Sequence, residues 1–139
     1  MVTEARGRDG RDGRDVDITG ELDLWSRRAG ILLDRMIGDR RADSLARYAL
    51  TLELAADPLL HRTLTAGQPI RAFAEAELIR FGAADPAAAA ADLVSFADGL
   101  VFDRLAGTGS LSGPPPGSNA SVEQLSRAIR TFLRGVFLA

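Results

Sequence analysis

Residues 93–107 read LVSFADGLVFDRLAG, and this segment is apolar enough to be the middle of a buried helix. On a helical projection of about 100° per residue, its apolar side chains cover well over half of the circumference. With the residues just before the segment, those side chains are Ala91, Leu93, Val94, Phe96, Ala97, Leu100, Val101, Phe102 and Leu105. A helix that is apolar on so many sides is buried on two of them. We therefore expect one side to face the core of the chain and the other to face a second subunit.

Small and charged residues interrupt this apolar helix. Ala91, Ser95 and Gly99 are spaced four residues apart along one ridge, where a second helix can approach closely. The alternative is that Gly99 is only tolerated, at a cost of about 1 kcal/mol relative to Ala. Asp98 falls on the apolar flank, where an ionised carboxylate needs a partner, and the simplest partner is an Arg of a neighbouring helix or of another subunit. The last helix carries Arg127, Arg130 and Arg134. We interpret the segment as the seam of an oligomer.

Helix start and stop signals divide the rest of the chain, and the sequence contains no strand pattern. Asp-Pro pairs at 57–58 and 85–86 each place an acidic N-cap before a proline at the first helical position. Pro69, together with Gly67, predicts a kink or break near residues 65–69. The predicted helices cover residues 19–38, 43–56, 57–81, 86–106 and 121–137. The expected fold class is an all-α bundle of about five to six helices.

Apolar periodicity predicts which face of each helix is buried. In the first helix, Leu24 and Ile31 fall opposite the main apolar stripe, so this helix is expected to contact its own core and something else. The predicted inward stripes are Leu22, Trp25, Ala29, Leu32 and Met36 in the first helix, and Leu45, Tyr48, Ala49, Leu52 and Ala56 in the second. At the start of the last helix, Ser121 and Gln124 match the pattern of a capping box.

Two segments are predicted to lie outside the helical core. Residues 7–15 read GRDGRDGRD and contain no apolar residue. We therefore expect residues 1–18 to form a flexible polar tail before a helical domain of residues 19–139. Residues 107–120 are rich in Gly, Ser and Pro, which predicts a mobile connection.

Composition excludes several classes of function. The chain of 139 residues has no Cys and one His, so neither a disulfide framework nor a metal site is expected. Its net charge of −2 is unlike the basic surplus of proteins that grip nucleic acid. Without a Cys nucleophile, a Gly-rich phosphate loop or a GxSxG elbow, we expect neither an enzyme nor a bound cofactor. Without a signal peptide or a spanning segment, we expect a soluble, cytoplasmic protein with no membrane partner.

Glu77 stands out in the third helix because it interrupts an apolar stripe. That stripe contains Ile70, Phe73, Ala74 and Phe81. Glu77 either orients a cationic or hydroxylated effector in an apolar pocket, or forms an internal ion pair for which Arg104 is the expected partner. Trp25 and Tyr48 lie on inward stripes, which is more typical of packing than of ligand contact.

Three segments in this order resemble the C-terminal domain of tetracycline-repressor (TetR) type regulators. They are LARYALTLELAADPLLHRTL at 45–64, FGAADPAAAAADLVSFADGLVFDRLAG at 81–107 and LSRAIRTFLRGV at 125–136. The resemblance covers about residues 20–139. It implies an all-helical homodimer in which the long helices at 86–106 and 122–137 form a four-helix interface with the partner. It also implies that the preceding helices, the second to the fourth, enclose a pocket for a small-molecule effector.

The resemblance implies two sets of site residues. The expected ligand-binding residues are Tyr48, Leu52, Phe73, Glu77, Phe81, Phe96 and Leu100. The expected dimer-interface residues are Ala91, Ser95, Asp98, Gly99, Phe102, Leu105, Leu125, Ile129, Phe132 and Val136. A structural dimerisation module without an effector, which would have the same interface but a filled core, is the alternative.

The sequence departs from the TetR pattern at its beginning. TetR-type proteins start with a basic helix-turn-helix, and nothing before residue 20 is expected to form one. DNA binding is therefore expected only through a domain absent from this chain, which is either a fragment of a longer regulator or a natural truncation.

Overall fold

The computed structural model describes residues 9–65 and 69–138, with side-chain exposure for residues 18–62 and 69–137. Every regular element in this part of the chain is an α-helix, so the all-α prediction is confirmed. The helices are α1 (Asp9–Ile37), α2 (Arg41–Leu54), α3 (Pro58–Thr65), α4 (Pro69–Arg80), α5 (Pro86–Ala106), α6 (Gly109–Ser112) and α7 (Asn119–Leu138). None of the described helices is long and apolar enough to cross a membrane.

Local signals place several helix ends correctly. Asp85 caps α5, because its side chain accepts a hydrogen bond from the backbone N–H of Ala88, and Gly107 ends the same helix. The break predicted near residues 65–69 falls mainly on residues 66–68, between α3 and α4, which lie outside the described residues and leave it a prediction. The ends of α5 depend on backbone chemistry within a few residues, which is why a linear pattern predicts them.

The first helix begins earlier than predicted. Its first residue is Asp9 and not Thr19, so residues 9–18 of the predicted flexible tail are helical. Once packed residues have nucleated a helix, each polar residue added to its end costs little, since it gains one backbone hydrogen bond. Residues 1–8 of the predicted tail lie outside the described residues.

Helices α1 and α7 pack antiparallel along most of their described length and provide much of the core. Their buried side chains are Leu22, Ser26, Leu33, Asp34 and Ile37 of α1, and Ser121, Leu125, Ser126, Ile129 and Leu133 of α7. A Cβ atom at Gly30 would lie 2.9 Å from the backbone N of Ser126 and 3.0 Å from the carbonyl O of Val122. The two helices can therefore come this close only because residue 30 has no side chain.

Gly99 does not have this role within the subunit. A Cβ atom built at Gly99 would meet nothing within 4 Å, since this face of α5 is open in the single chain. Its close approach to a helix of a second subunit stays a prediction.

The predicted inward stripe of α2 is wrong. The buried residue of α2 is Ser44, whose hydroxyl donates a 2.8 Å hydrogen bond to the carbonyl O of Met36. Leu45 is exposed and Leu52 is 69% exposed, while Tyr48 is half-buried. Helix α2 packs mainly against α1 and α3, so an apolar stripe along it finds no continuous neighbour in the subunit.

Arg104 is a buried residue that joins three parts of the chain. Its side chain is 5% exposed, and it donates hydrogen bonds to Gln124 Oε1 at 2.7 Å, to Ser121 Oγ at 3.0 Å and to the carbonyl O of Pro114. The predicted capping box is therefore wrong, because the guanidinium engages both of its side chains. Instead, Ser118 Oγ accepts a hydrogen bond of 3.1 Å from the backbone N–H of Ser121.

The segment 107–120, predicted as a mobile connection, contains α6 and is held by hydrogen bonds to two helices. Arg104 binds its middle at Pro114. The backbone N–H of Gly117 donates to both carboxylate oxygens of buried Asp34, at 3.1 and 3.0 Å. Gly117 has a φ of +84°, a conformation that side chains rarely tolerate. The start of α7 is thus tied to both α1 and α5.

Candidate ligand-binding cavity

A partly open cavity of about 1030 Å³ lies between α1, α4 and α5. Helix α1 packs on α7, and α4 packs on α5, so the two pairs leave a space where their inner faces converge. The cavity is lined by Glu21, Leu24, Trp25, Arg28, Ala29, Leu32, Leu33, Met36, Arg47, Pro69, Ile70, Phe73, Ala74, Glu77, Arg80, Leu93, Val94, Ala97, Asp98, Val101 and Ile129. The volume suits a drug-sized organic molecule, for which pockets of about 300–1,000 Å³ are typical.

The side chains that line the cavity become more exposed from its floor to its mouth. Buried side chains form the floor, among them Leu33, Ala74, Leu93, Val101 and Ile129. Half-exposed apolar side chains form the mouth, namely Leu24, Leu32, Ile70 and Phe73. A ligand that fills the cavity would therefore cover apolar surface on α1 and α4 that the single chain leaves open to water.

Three charged residues of the cavity lining form a cluster of ion pairs. Arg80 Nη2 lies 2.9 Å from Glu77 Oε2, and Arg80 Nη1 lies 3.4 Å from Glu21 Oε2. This arrangement links α4 to α1. The predicted ion pair between Glu77 and Arg104 is wrong, because the loop before α7 and α7 itself supply all the partners that the structure gives Arg104.

Elsewhere in the cavity lining, Asp98 forms a hydrogen bond with Tyr48. The hydroxyl of Tyr48 donates a 3.1 Å hydrogen bond to Asp98 Oδ1, and the guanidinium carbon of Arg47 lies 4.9 Å from the centre of the Tyr48 ring. The predicted partner of Asp98, an Arg of the last helix, is wrong within the subunit. Arg130 and Arg134 instead lie 3.0 and 3.9 Å from Asp23 Oδ1, because their side of α7 faces α1.

Burial of its ring and the adjacent Asp98 carboxylate raise the pKa of the Tyr48 hydroxyl from its ordinary value of 10.0 to about 12. Tyr48 is the sole tyrosine of the chain, so absorbance of the phenolate reports this residue alone. We expect an alkaline titration with a midpoint near 12. The Asp98→Asn variant should titrate at a lower pH but still above the ordinary value, because burial, the largest single cause, remains.

The raised pKa of Tyr48 predicts how the stability of the folded protein depends on pH. Because the folded state holds the Tyr48 proton more tightly than the unfolded state, this contribution to stability is complete below pH 10 and is lost as the pH rises through about 12. The chain unfolded in guanidinium is the reference and should titrate near the ordinary value of 10.0. A folded protein whose Tyr48 also titrates there would contradict the burial and the hydrogen bond to Asp98.

The predicted ligand-binding residues are only partly brought together. Phe73 and Glu77 line the cavity. The other five lie outside its lining, namely Tyr48, Leu52, Phe81, Phe96 and Leu100. Phe81 is buried and meets Phe137 edge to face with ring centres 6.2 Å apart, whereas Phe96 stacks on Phe132 at 5.2 Å.

Residues of α1 form a wall of the cavity that the predicted set of ligand contacts omitted. Leu24, Trp25, Arg28, Leu32 and Met36 all line it. Some of these side chains belong to the stripe predicted as core, because a cavity wall and a packed core require the same apolar spacing. The available signal was the second apolar face of this helix, to which Leu24 contributes.

Three of the predicted interface residues are unavailable to a partner subunit. Leu105, Leu125 and Ile129 are 4%, 1% and 1% exposed within the single chain. All three belong to the buried core of the subunit, so this part of the prediction is wrong. The remaining predicted residues are at least partly exposed, namely Ala91, Ser95, Asp98, Gly99, Phe102, Phe132 and Val136.

Comparison with known protein families agrees with this architecture. Residues 24–137 match the family described as tetracyclin repressor-like, C-terminal domain. This match spans most of the chain, and the chain therefore belongs to that family of regulatory domains. No curated protein and no solved structure matches the chain. Among residues 9–65 and 69–138, no three His, Cys, Asp or Glu side chains are grouped as a metal site requires.

Proposed function

We propose that this domain binds a small-molecule effector in the cavity between α1, α4 and α5 and dimerises through α5 and α7, as the sensing part of a TetR-type transcriptional regulator. The cavity of about 1030 Å³ carries the proposal. A purely structural dimerisation module has no need of such a space, since an empty apolar cavity forfeits packing contacts. The observation therefore favours the sensing module over the structural one.

The position of the cavity suits signalling as well as binding. Its walls belong to α1 and α7 on one side and to α4 and α5 on the other. A ligand that touches both sides changes the relative stability of their arrangements by its differential contacts. Because α5 and α7 are also the proposed interface helices, such a change reaches the contact between subunits.

The proposed dimer interface is the outer face of α5 and α7, defined by Ser95, Phe96 and Gly99 of α5 and Phe132 of α7. Phe96 and Phe132 stack with their ring planes 24° apart, and Phe96 is 37% exposed. Next to this aromatic pair, Ser95 and Gly99 leave room for a helix of the partner to approach. The same face on a second copy supplies the matching surface of a two-fold interface.

In this proposal, the domain itself does not bind DNA. The net charge of −2 offers no basic surplus for phosphates. A helix-turn-helix would supply the DNA contacts, and the domain itself acts in the cytoplasm without catalysis or a cofactor.

Native mass spectrometry tests both halves of the proposal. The unmodified chain is expected to appear as a dimer that carries one small molecule per subunit, either co-purified or taken up from a metabolite extract. Ala97→Trp should abolish the bound mass, because Ala97 lines the cavity and the indole would occupy it. Phe96→Glu should shift the protein to a monomer, since it places charges in the proposed interface.

Matched variants separate these effects from general damage. Ala72→Trp is the control for the cavity, because Ala72 is exposed on α4 and does not line it. Ile79→Glu is the control for the interface, because Ile79 is an exposed apolar residue of α4 and does not belong to the proposed interface. A dimer that takes up no small molecule would support the structural module instead. A monomer would contradict the proposed interface.

A further inference from the structure

We infer that the effector is an amphipathic anion, with an apolar body inside the cavity and a carboxylate, sulfonate or phosphate group at Arg28. The inference rests on the proposed function and adds the chemical class of the ligand. It follows from which lining groups are apolar, which charges already have partners in the chain, and which charge does not.

The described side chains that line the cavity are almost all either apolar or charged. Among the described residues that line it, fifteen are largely apolar and six are charged, and the indole N–H of Trp25 is the one neutral side-chain hydrogen-bonding group. A sugar, a polyol or a nucleobase would leave its hydrogen-bonding groups unpaired against such walls, at a cost of about 1–3 kcal/mol for each group. The lining therefore selects a ligand that is mostly apolar and has few, charged polar groups.

The three carboxylates of the lining already have partners. Arg80 binds both Glu77 and Glu21. The Tyr48 hydroxyl binds Asp98. A cationic ligand would have to compete with these contacts or leave its charge beside apolar surface, which disfavours a cation.

The arginines leave one guanidinium open at the mouth. Arg80 is engaged by its two carboxylates, and Arg47 stacks on the Tyr48 ring. Neither Arg28 nor Arg47 has a carboxylate partner among the ion pairs of the described residues, and of these two only Arg28 also has no stacking contact there. Its planar fork of N–H donors matches a carboxylate or phosphate group in a bidentate manner.

The position of Arg28 also indicates how the ligand is oriented. Arg28 lies one helical turn from Leu24 and one from Leu32, which are 52% and 49% exposed at the mouth of the cavity. The floor opposite is apolar and buried, with Leu93 and Val101 among its residues. An anionic head at Arg28 therefore stays near water while the apolar body points inward, the arrangement that costs the least desolvation.

The fluorescence of Trp25 can report whether a ligand occupies the cavity. It is the sole tryptophan of the chain and it lines the cavity, so a ligand in contact with it changes the intrinsic fluorescence. We would titrate the full chain at pH 8, below micellar concentrations, with dodecanoate, dodecanol and dodecyltrimethylammonium. These three probes share a twelve-carbon chain and differ in the charge of the head group. Dodecanoate is expected to bind at least about tenfold more tightly than either of the others.

The Arg28→Gln variant assigns that preference to one residue. It should lose the preference for dodecanoate while binding dodecanol as before, because only the contact with the head group is removed. Arg27→Gln is the matched control, since Arg27 is exposed on the same helix but does not line the cavity. This control should keep the full preference.

The outcomes separate the inference from the proposed function. Equal or tighter binding of dodecanol or of the cation would overturn the anionic class and leave the cavity as a ligand site. A preference for dodecanoate that survives Arg28→Gln would overturn the assignment to Arg28. No saturable response of Trp25 to any of the three probes would contradict both the ligand class and effector binding in this cavity.

Discussion

Replacing Arg104 with Met is expected to lower the free energy of unfolding by about 3 kcal/mol. The substitution keeps an apolar stem of similar length but removes the donors to Gln124, Ser121 and Pro114. Each acceptor left without a partner in a buried position costs about 1–3 kcal/mol, and relief of the buried charge offsets part of the sum. Urea denaturation followed by circular dichroism measures the loss.

Arg127→Met and Arg104→Lys are the control variants for Arg104→Met. Arg127→Met removes an exposed Arg from α7 and should change stability by less than about 0.5 kcal/mol. Arg104→Lys keeps the charge but not the planar fork, so an intermediate loss is expected. Faster hydrogen exchange at the Gly117 and Ser121 amides should accompany Arg104→Met, because the loop before α7 is released. Unchanged stability of Arg104→Met would mean that the buried guanidinium does not join these segments.

Replacing Gly30 with Ala is expected to destabilise the protein by about 2 kcal/mol, although Ala is the better helix former. The added methyl group would meet the backbone of α7, 2.9 Å from the N of Ser126 and 3.0 Å from the O of Val122. Backbone atoms of a packed helix cannot move aside alone, so α1 and α7 must separate and lose contacts along their length. The gain in helix propensity, about 1 kcal/mol, offsets only part of this loss.

Gly20→Ala is the matched control in the same helix. A Cβ atom at Gly20 meets nothing within 4 Å, so the same substitution should stabilise the protein by about 1 kcal/mol. The opposite signs of the two Gly→Ala variants, measured by thermal and urea denaturation, distinguish close packing from propensity. If Gly30→Ala were as favourable as Gly20→Ala, the close crossing of α1 and α7 would be contradicted.

Helix α5 is apolar around most of its circumference, and its surroundings differ in part from those predicted. The pattern predicts that this helix is buried on two sides, and the second side was interpreted as a subunit contact. In the structure Leu93 and Val101 reach the core and also line the cavity, Val94 and Ala97 line the cavity wall, and Phe96 points outward. A cavity wall requires the same apolar side chains as a contact, so periodicity alone cannot separate the two.

Glu77, Asp98 and Arg104 show a second limit of sequence reasoning. Glu77 and Asp98 are each predicted to need a partner, and Arg104 is the partner predicted for Glu77. The partners were wrong, because Arg80 follows Glu77 by one turn, Tyr48 reaches Asp98 from α2, and Arg104 binds the chain near Pro114. The Glu77–Arg80 pair has the i, i+3 spacing of neighbours on one helix, so the sequence contained the signal for it. The partners of Asp98 and Arg104 depend on the crossing of helices that are far apart along the chain, and spacing within one helix carries no information about that crossing.

By itself, the sequence determined the helical class, the ends of α5 and the family of the domain. These features rest on interactions within a few residues, such as the Asp85 cap, the missing N–H of proline and the apolar period, or on an extended pattern of residues. The tertiary structure alone decided that Gly30 and not Gly99 brings two helices of the subunit together. It also decided that α1 forms a wall of the cavity and that Arg104 is buried. The physical reason is that burial and partner choice depend on which faces meet, which is settled only when all the helices pack around one core.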